Sequence, residues 1–381
     1  MKKIVILGST GSVGKSALDV VEKHKNSFRV LALTAHTNAE LLAKQAKHFN
    51  AGFVGMADPS ASCKLRGILK KTCKVFSGAE GIKEIAGLKE ADMVLVAISG
   101  TSAIGPLIAS IKAGKRIALA NKESIVSAGK IIIDMAKRYG ADIIPVDSEH
   151  SSIFQCIRKE DKRKIRRIFL MGSGGPLKDV PKSLFKGLTL PEVLKHPVWK
   201  MGRKITVDSA TMMNKGLEAI EASRLFGIDI SEISILLHPE AAIHSMVEFK
   251  DGNVMANLFY PDMRIPIFYA FTYPDRQTAH LPRLNLSRIR EMTFRRPDKK
   301  KFPAIETCYE AAKRGGTLTA CLNSANEEAV RLYLEGKIGF TNIAKFVKSA
   351  MKRHRVISNP SLSQIFSVDA WAKEEVRNMV R

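Results

Sequence analysis

The chain has 381 residues, of which 45% are hydrophobic and 26% charged. This excludes wholesale disorder and collagen-like composition and, at roughly 150 residues per domain, predicts two or three folded domains. The 61 Lys and Arg against 37 Asp and Glu leave a net charge of +24, which favours a phosphate-bearing partner, whether a small anionic substrate or a nucleic acid. The basic runs at 158–167, 295–301 and 352–355 lack interleaved aromatics and read as solvated faces, and no apolar window is long enough to span a bilayer, so neither nucleic acid nor membrane is an expected partner.

Ile4 to Leu7 is too short an apolar run for a signal peptide and reads as a first buried strand, ahead of a helix over 15–24. A strand over 28–35 and a helix over 39–48 follow, then strands over 93–98 and 116–120, a helix over 128–139 and a strand over 142–146. Alternating strands and helices mean right-handed crossovers and a parallel sheet, so 1–147 is expected to be a Rossmann-like α/β domain. Between 148 and 286 the pattern changes to blocks: a strand over 168–171, a Gly/Pro-rich turn, a long polar loop to Trp199, a helix over 211–226, and strands over 233–237 and 254–259. That stretch is expected to be an α+β domain. The remainder, 287–381, reads as a linker and a small α-helical C-terminal domain, with helical periodicity over 305–313, 322–334 and 343–352.

Gly8-Ser9-Thr10-Gly11-Ser12-Val13-Gly14 stands directly between the first strand and the first helix. Glycines there permit a tight turn and close backbone approach, and the helix N-terminus offers N–H groups to a pyrophosphate, so a dinucleotide site is expected. The second strand should end near the adenosine ribose. His36-Thr37-Asn38 occupies that place without the carboxylate typical of an NAD site, which favours NADP.

After the strand ending at Val146 comes Asp147-Ser148-Glu149-His150. In an extended segment Asp147 and Glu149 point to the same side and can converge on one cation. Further along, Asn214, Lys215 and Glu218 share one helix face, and both Glu218 and Glu221 are candidates for a third oxygen ligand to a hard divalent ion. Gly172 to Pro176 and Asp208-Ser209-Ala210, read as preceding the helix, offer backbone N–H groups and hydroxyls to a phosphate. His196 to Gly202, with Trp199 and Met201, reads as a lid bounded by Pro and Gly. His238 and His244 read as structural histidines. A semialdehyde dehydrogenase would share the glycine turn but needs a catalytic cysteine with a base, and Cys156 has none evident. The five cysteines lack C-x-x-C spacing, which predicts a reduced, cytoplasmic setting.

In combination these segments resemble one family, the 1-deoxy-D-xylulose 5-phosphate reductoisomerases. The resemblance rests on GSTGSVG at 8–14, LANKES at 119–124, PVDSEHSSIFQ at 145–155, GSGGP at 172–176, HPVWKMG at 196–202, ITVDSATMMNKGLE at 205–218, IHSMVE at 243–248, PDMRIPI at 261–267 and LNSANEEAV at 322–330. It implies a homodimeric NADPH-dependent oxidoreductase using Mg²⁺, Mn²⁺ or Co²⁺ on a phosphosugar. The metal would be held by Asp147, Glu149 and Glu218, which settles the choice against Glu221. Substrate contacts would come from Lys122, Ser148, Ser173, His196, Ser209, Asn214 and Lys215, with Trp199 and Met201 in a closing flap. Cofactor contacts would come from Thr10, Gly11, Ser12, Val13, Asn38, Asn121, Glu123 and Gly202. Glu149, Lys122 and His196 are the expected catalytic groups. His36 and Thr37 stand where many relatives carry Gly followed by Lys, Arg or Ser.

Overall fold

Seven short aliphatic runs form one parallel sheet in the computed structural model, which describes residues 1–69, 73–158, 160–199 and 201–380. Lys159 of the first basic run and Lys200 of the expected flap lie outside the described residues. The strands are β1 (Lys2–Leu7), β2 (Phe28–Ala35), β3 (Phe53–Met56), β4 (Lys74–Ser77), β5 (Met93–Val96), β6 (Arg116–Leu119) and β7 (Asp142–Pro145). Their order is β4-β3-β2-β1-β5-β6-β7, and every neighbouring pair is parallel. Ile4, Val5, Ile6 and Leu7 have no exposed surface, as expected of a strand covered on both faces.

The connecting helices are α1 (Ser12–Lys23), α2 (Ala39–His48), α3 (Pro59–Leu69), α4 (Gly78–Ala86), α5 (Ile104–Lys112), α6 (Lys122–Tyr139) and α7 (Ser148–Cys156). The strand order reverses between β1 and its two neighbours, β2 and β5, so the turn after β1 opens at the switch point where ligands bind such sheets. Rossmann-like architecture was legible in the alternation, although β3, α3, β4, α4 and α5 were not.

The chain divides into two compact units, the first comprising Met1–Asn121, Ile131–Ser151 and Asp262–Pro282, and the second Lys122–Lys130, Ser152–Pro261 and Arg283–Arg381. In the second unit, β8 (Ile165–Gly172), β9 (Ile233–Leu237), β10 (Ile243–Phe249) and β11 (Val254–Leu258) form a mixed sheet of order β11-β10-β8-β9. Helices α8 (Leu190–Leu194), α9 (Arg203–Ala210) and α10 (Met213–Phe226) belong to it, whereas α11 (Arg264–Thr272) belongs to the first unit. There Phe271 packs edge-on to Phe28, ring centroids 5.6 Å apart. The helical end of the chain comprises α12 (Ala304–Arg314), α13 (Leu318–Leu334), α14 (Phe340–Arg353) and α15 (Leu362–Asn378). Helix α13 is buried nearly all round and forms the centre of this layer.

Three expectations are corrected. Asp147 and Glu149 do not lie in an extended segment: α7 begins at Ser148, and Ser151 N–H bonds back to the Asp147 carbonyl at 2.8 Å. An acidic and hydroxyl-rich stretch favours a helix start, because its oxygens and charge complement free N–H groups there. Asp208, Ser209 and Ala210 do stand before α10, but as the last turn of α9, so their N–H groups serve that helix and are not offered to a ligand. Met212, with φ +61°, then breaks the chain between α9 and α10. Helix α1 starts at Ser12 rather than at 15, since Gly11 adopts the extended conformation of an N-cap.

Gly14 packs against the turn so closely that a Cβ there would lie 2.3 Å from the Gly8 carbonyl oxygen and 2.5 Å from Ser9 Cα. At Gly11 the nearest such approach is 3.4 Å. Gly14→Ala is therefore expected to destabilise the protein by about 3 kcal/mol, while Gly11→Ala changes stability by under ~0.5 kcal/mol. Urea midpoints of the two variants check this, and equal midpoints would refute the packing account.

Candidate active site

In the first unit, the turn after β1 is fixed by its backbone. Gly8 and Ser9 N–H groups both reach the Thr34 carbonyl, at 3.1 and 2.8 Å, and Gly8 adopts φ +88°. A Cβ on Gly8 would sit 2.6 Å from the Ala97 carbonyl oxygen, so only glycine fits between β1 and the segment after β5. Buried Ser9 is clamped by Gln45, whose amide nitrogen donates to the Ser9 carbonyl at 3.1 Å. Thr10, Gly11, Ser12 and Val13 stay at least partly accessible at the mouth. The first-turn N–H groups of α1 have no helical acceptor, which makes this an anion-binding end.

At the end of β2, His36, Thr37 and Asn38 are exposed. The Asn38 carboxamide oxygen caps α2 by accepting from Leu41 N–H at 3.0 Å. Asn121, after β6, donates to the carbonyls of Ile98 at 2.8 Å and Gly100 at 3.1 Å, tying the β5 and β6 ends together. Asp147, Ser148 and Glu149 stand at the start of α7, after the C-terminal end of β7, where the Ser148 hydroxyl donates to Glu149 Oε2 at 2.6 Å.

In the second unit, buried Glu218 on α10 is the hub. Lys122 Nζ donates to its Oε1 at 3.0 Å and Lys215 Nζ lies 2.5 Å from its Oε2. Asn214 completes the group: its Nδ2 donates to Glu218 Oε1 at 2.5 Å and its Oδ1 accepts from Lys122 Nζ at 2.9 Å. Both lysines and Glu218 are buried, so two ammonium groups and one carboxylate share a water-poor space. The Lys215 stem passes over Gly172, where a Cβ would lie 3.0 Å from its Cε. Gly175, at φ +67°, likewise lets the GSGGP turn approach Ser209, since a Cβ there would fall 2.7 Å from the Ser209 carbonyl oxygen. Ser173, Ser209, Asn214 and Lys215 are thereby gathered around one turn and one helix pair.

His196 faces this group, with Nε2 3.4 Å from Ser173 Oγ. Its Nδ1 accepts from the N–H groups of Val198 at 3.2 Å and Trp199 at 2.9 Å, which fixes the proton on Nε2. Burial, reinforced by the Lys215 charge, lowers this imidazole to about 4. Trp199 lies 6.3 Å from the His244 ring, and Gly202 begins α9 with open space around its Cα.

His238 and His244 have structural roles. His238 accepts at Nε2 from Ala242 and Ile243 N–H groups, both at 3.2 Å, and His244 stacks on Phe259 at 3.7 Å. Burial pushes the Cys156 thiol up to about 11, and its contact is the Met255 carbonyl, which leaves no activated thiolate for a dehydrogenase of the cysteine type.

Sequence reasoning missed Lys204. Its ammonium sits 3.0 Å from Glu123 Oε1 and 2.9 Å from Asp208 Oδ2, joining the start of α6 to α9. The i,i+4 spacing of Lys204 and Asp208 was a readable signal, whereas the link to Glu123 was not.

Residues 4–129 match the family model described as 1-deoxy-D-xylulose 5-phosphate reductoisomerase, residues 143–226 match that family's C-terminal domain, and residues 258–375 match the DXP reductoisomerase C-terminal domain. The 1-deoxy-D-xylulose 5-phosphate reductoisomerase of Thermoanaerobacter sp. (strain X514) is 46% identical over 377 residues, covering 99% of this chain and 98% of its own. That of Synechococcus sp. (strain JA-2-3B'a(2-13)) is 43% identical over 384 residues, covering 100% and 98%. Among solved structures, the Zymomonas mobilis reductoisomerase in complex with NADPH superposes with TM-score 0.93 at 39% identity, covering 100% of this chain and 99% of its own. A DOX-P reductoisomerase in complex with NADPH, fosmidomycin and magnesium gives 0.95 at 35% identity, covering 100% and 98%. Similarity of this extent, in sequence and in backbone alike, places the chain in the 1-deoxy-D-xylulose 5-phosphate reductoisomerase family.

Proposed function

We propose that the protein converts 1-deoxy-D-xylulose 5-phosphate into 2-C-methyl-D-erythritol 4-phosphate, rearranging the carbon skeleton and reducing it with NADPH in the presence of Mg²⁺, Mn²⁺ or Co²⁺. The observation that carries this reading is the clasp of Lys122, Lys215 and Asn214 on buried Glu218, beside Ser173, Ser209 and His196. The buried ammonium groups of Lys122 and Lys215 and the hydroxyls of Ser173 and Ser209 are donors of the kind that a phosphate-bearing substrate takes.

The residues fit both bound groups. In the β1–α1 turn Gly8 and Gly14 let the backbone pack closely, and the first-turn N–H groups of α1 beyond extended Gly11 are the donors that a pyrophosphate takes. Asp147, Glu149 and Glu218 would supply carboxylate oxygens, the donors that hard divalent ions take. When bound, the ion polarises the substrate's ketone and hydroxyl oxygens and NADPH supplies the hydride. Thr10, Gly11, Ser12 and Val13 would hold the pyrophosphate, His36, Thr37 and Asn38 would line the 2′-phosphate end, and Asn121, Glu123 and Gly202 would contact the rest of the cofactor.

Ser173, Ser209, Asn214 and Lys215 would take the substrate phosphate, with His196 donating its Nε2 proton in a hydrogen bond. Lys122 would neutralise oxyanion charge, and Glu149, hydrogen-bonded to Ser148, would move the proton. Trp199 and Met201 would close over the substrate and exclude water. In this scheme 1–147 binds cofactor, 148–286 carries most of the substrate contacts and 287–381 is the linker and helical domain. A homodimer is supported by the edge strand β11, where Val254, Met255 and Leu258 are exposed beside Tyr260. A reduced, cytoplasmic setting is supported by five cysteines of which none forms a disulfide, and no helix among the described residues is long and apolar enough to cross a membrane.

Three outcomes are expected. Glu218→Gln lowers turnover by at least about 10³-fold while NADPH affinity changes little, because a ligand to the ion and the partner of two lysines is lost together. NADPH oxidation and direct cofactor titration check this, and normal turnover at limiting metal would remove Glu218 from the proposed site. The His196 imidazole, lowered from 6.5 to about 4 in the folded protein, binds its proton earlier in the unfolded chain. Its contribution to stability is therefore complete above pH 6.5 and falls as the pH drops toward 4, and His196→Gln flattens this part of the urea-midpoint profile. Histidine NMR reporting an ordinary titration would refute it. Finally, Thr37→Lys should tighten NADPH about five- to tenfold and leave NADH unchanged, by adding a cation at the 2′-phosphate end. Equal effects on both cofactors would place selectivity elsewhere.

A further inference from the structure

Helix α13 carries a polar side chain into the apolar layer that surrounds it. Asn326 has no exposed surface, and its Nδ2 donates to Asp208 Oδ1 at 2.8 Å. Asp208, itself 1% exposed, gives its other oxygen to Lys204 Nζ at 2.9 Å. The same ammonium contacts Glu123 Oε1 at 3.0 Å. Burial by itself would raise the Glu123 carboxyl, but the charge and hydrogen bond of Lys204 outweigh it and hold the group below the usual carboxylate range.

We infer that Asn326, Asp208 and Lys204 form a relay that positions the Glu123 carboxylate for NADPH, so that the helical end of the chain tunes cofactor affinity. This rests on the reading that Glu123 contacts NADPH. The physical reason is competition for one cation. Lys204 is shared between two carboxylates, and the Asn326 amide satisfies the far oxygen of Asp208. Without that amide, Asp208 presents an unpaired buried oxygen and draws Lys204 toward itself, which weakens the hold of Lys204 on Glu123. Asn326 is a positioning residue, because it acts only through its neighbours.

A double-mutant cycle on the full-length protein tests the relay, with NADPH affinity measured by calorimetry and steady-state kinetics run in parallel. Glu123→Gln should weaken NADPH about tenfold, and Asn326→Leu should weaken it about fivefold, the scale of one hydrogen bond to a charged group partly transmitted. Turnover at saturating NADPH should stay near the parent value in Asn326→Leu. The double variant should bind NADPH no more weakly than Glu123→Gln alone. Lys204→Gln, at a partly exposed position, repeats the cycle should Asn326→Leu fail to fold. Additive losses in the cycle, or parental affinity in both Asn326→Leu and Lys204→Gln, would overturn the relay and leave the role of Glu123 standing. Parental affinity in Glu123→Gln would overturn the reading of Glu123, and the relay with it.

Discussion

Glu218 is the constraint around which the side chains proposed to bind substrate are arranged. A carboxylate buried to 1% exposure is costly without partners, and here an ammonium meets each oxygen. Holding Lys122 and Lys215 there fixes other groups in turn. Lys122 orients Asn214, and the Lys215 stem runs close over Gly172, where a Cβ would lie 3.0 Å from its Cε. Ser209 is brought against the GSGGP turn by the same logic, because the turn can approach only at Gly175. The site is therefore rigid where charge is buried, as preorganised electrostatics demands.

Two kinds of anion recognition coexist in this chain. The turn after β1 offers backbone N–H groups at a helix start, an arrangement suited to a pyrophosphate without side-chain charge. The α10 cluster offers side-chain cations and hydroxyls. The first is built from glycine and short-range geometry, the second from residues distant in sequence. A similar contrast separates His196 from His238 and His244. His196 keeps an Nε2 proton directed at Ser173, whereas the other two spend their rings on backbone groups and stacking.

Legibility followed the range of the interaction involved. β2, α2 and β9 form over the residues their patterns marked, because periodicity is a local property. The start of α7 was also written locally, in Asp147, Ser148 and Glu149, yet it reads as extended chain if the preceding strand is carried on too far. The break at Met212 has no such signature, since a left-handed methionine is tolerated only where surrounding structure imposes it.

The sequence by itself determined the parallel sheet, the glycine turn and the family, since strand-helix alternation and long contiguous motifs survive without knowledge of packing. It also named Glu218, but only through resemblance, as spacing left Glu221 equal to it. Only the tertiary structure decided which side chains share charge. Lys122 and Glu218 are 96 residues apart, and Asn326 and Asp208 are 118 apart, yet each pair is hydrogen-bonded. Contacts of that separation depend on which elements pack together, and packing is a property of the whole fold rather than of any stretch of chain.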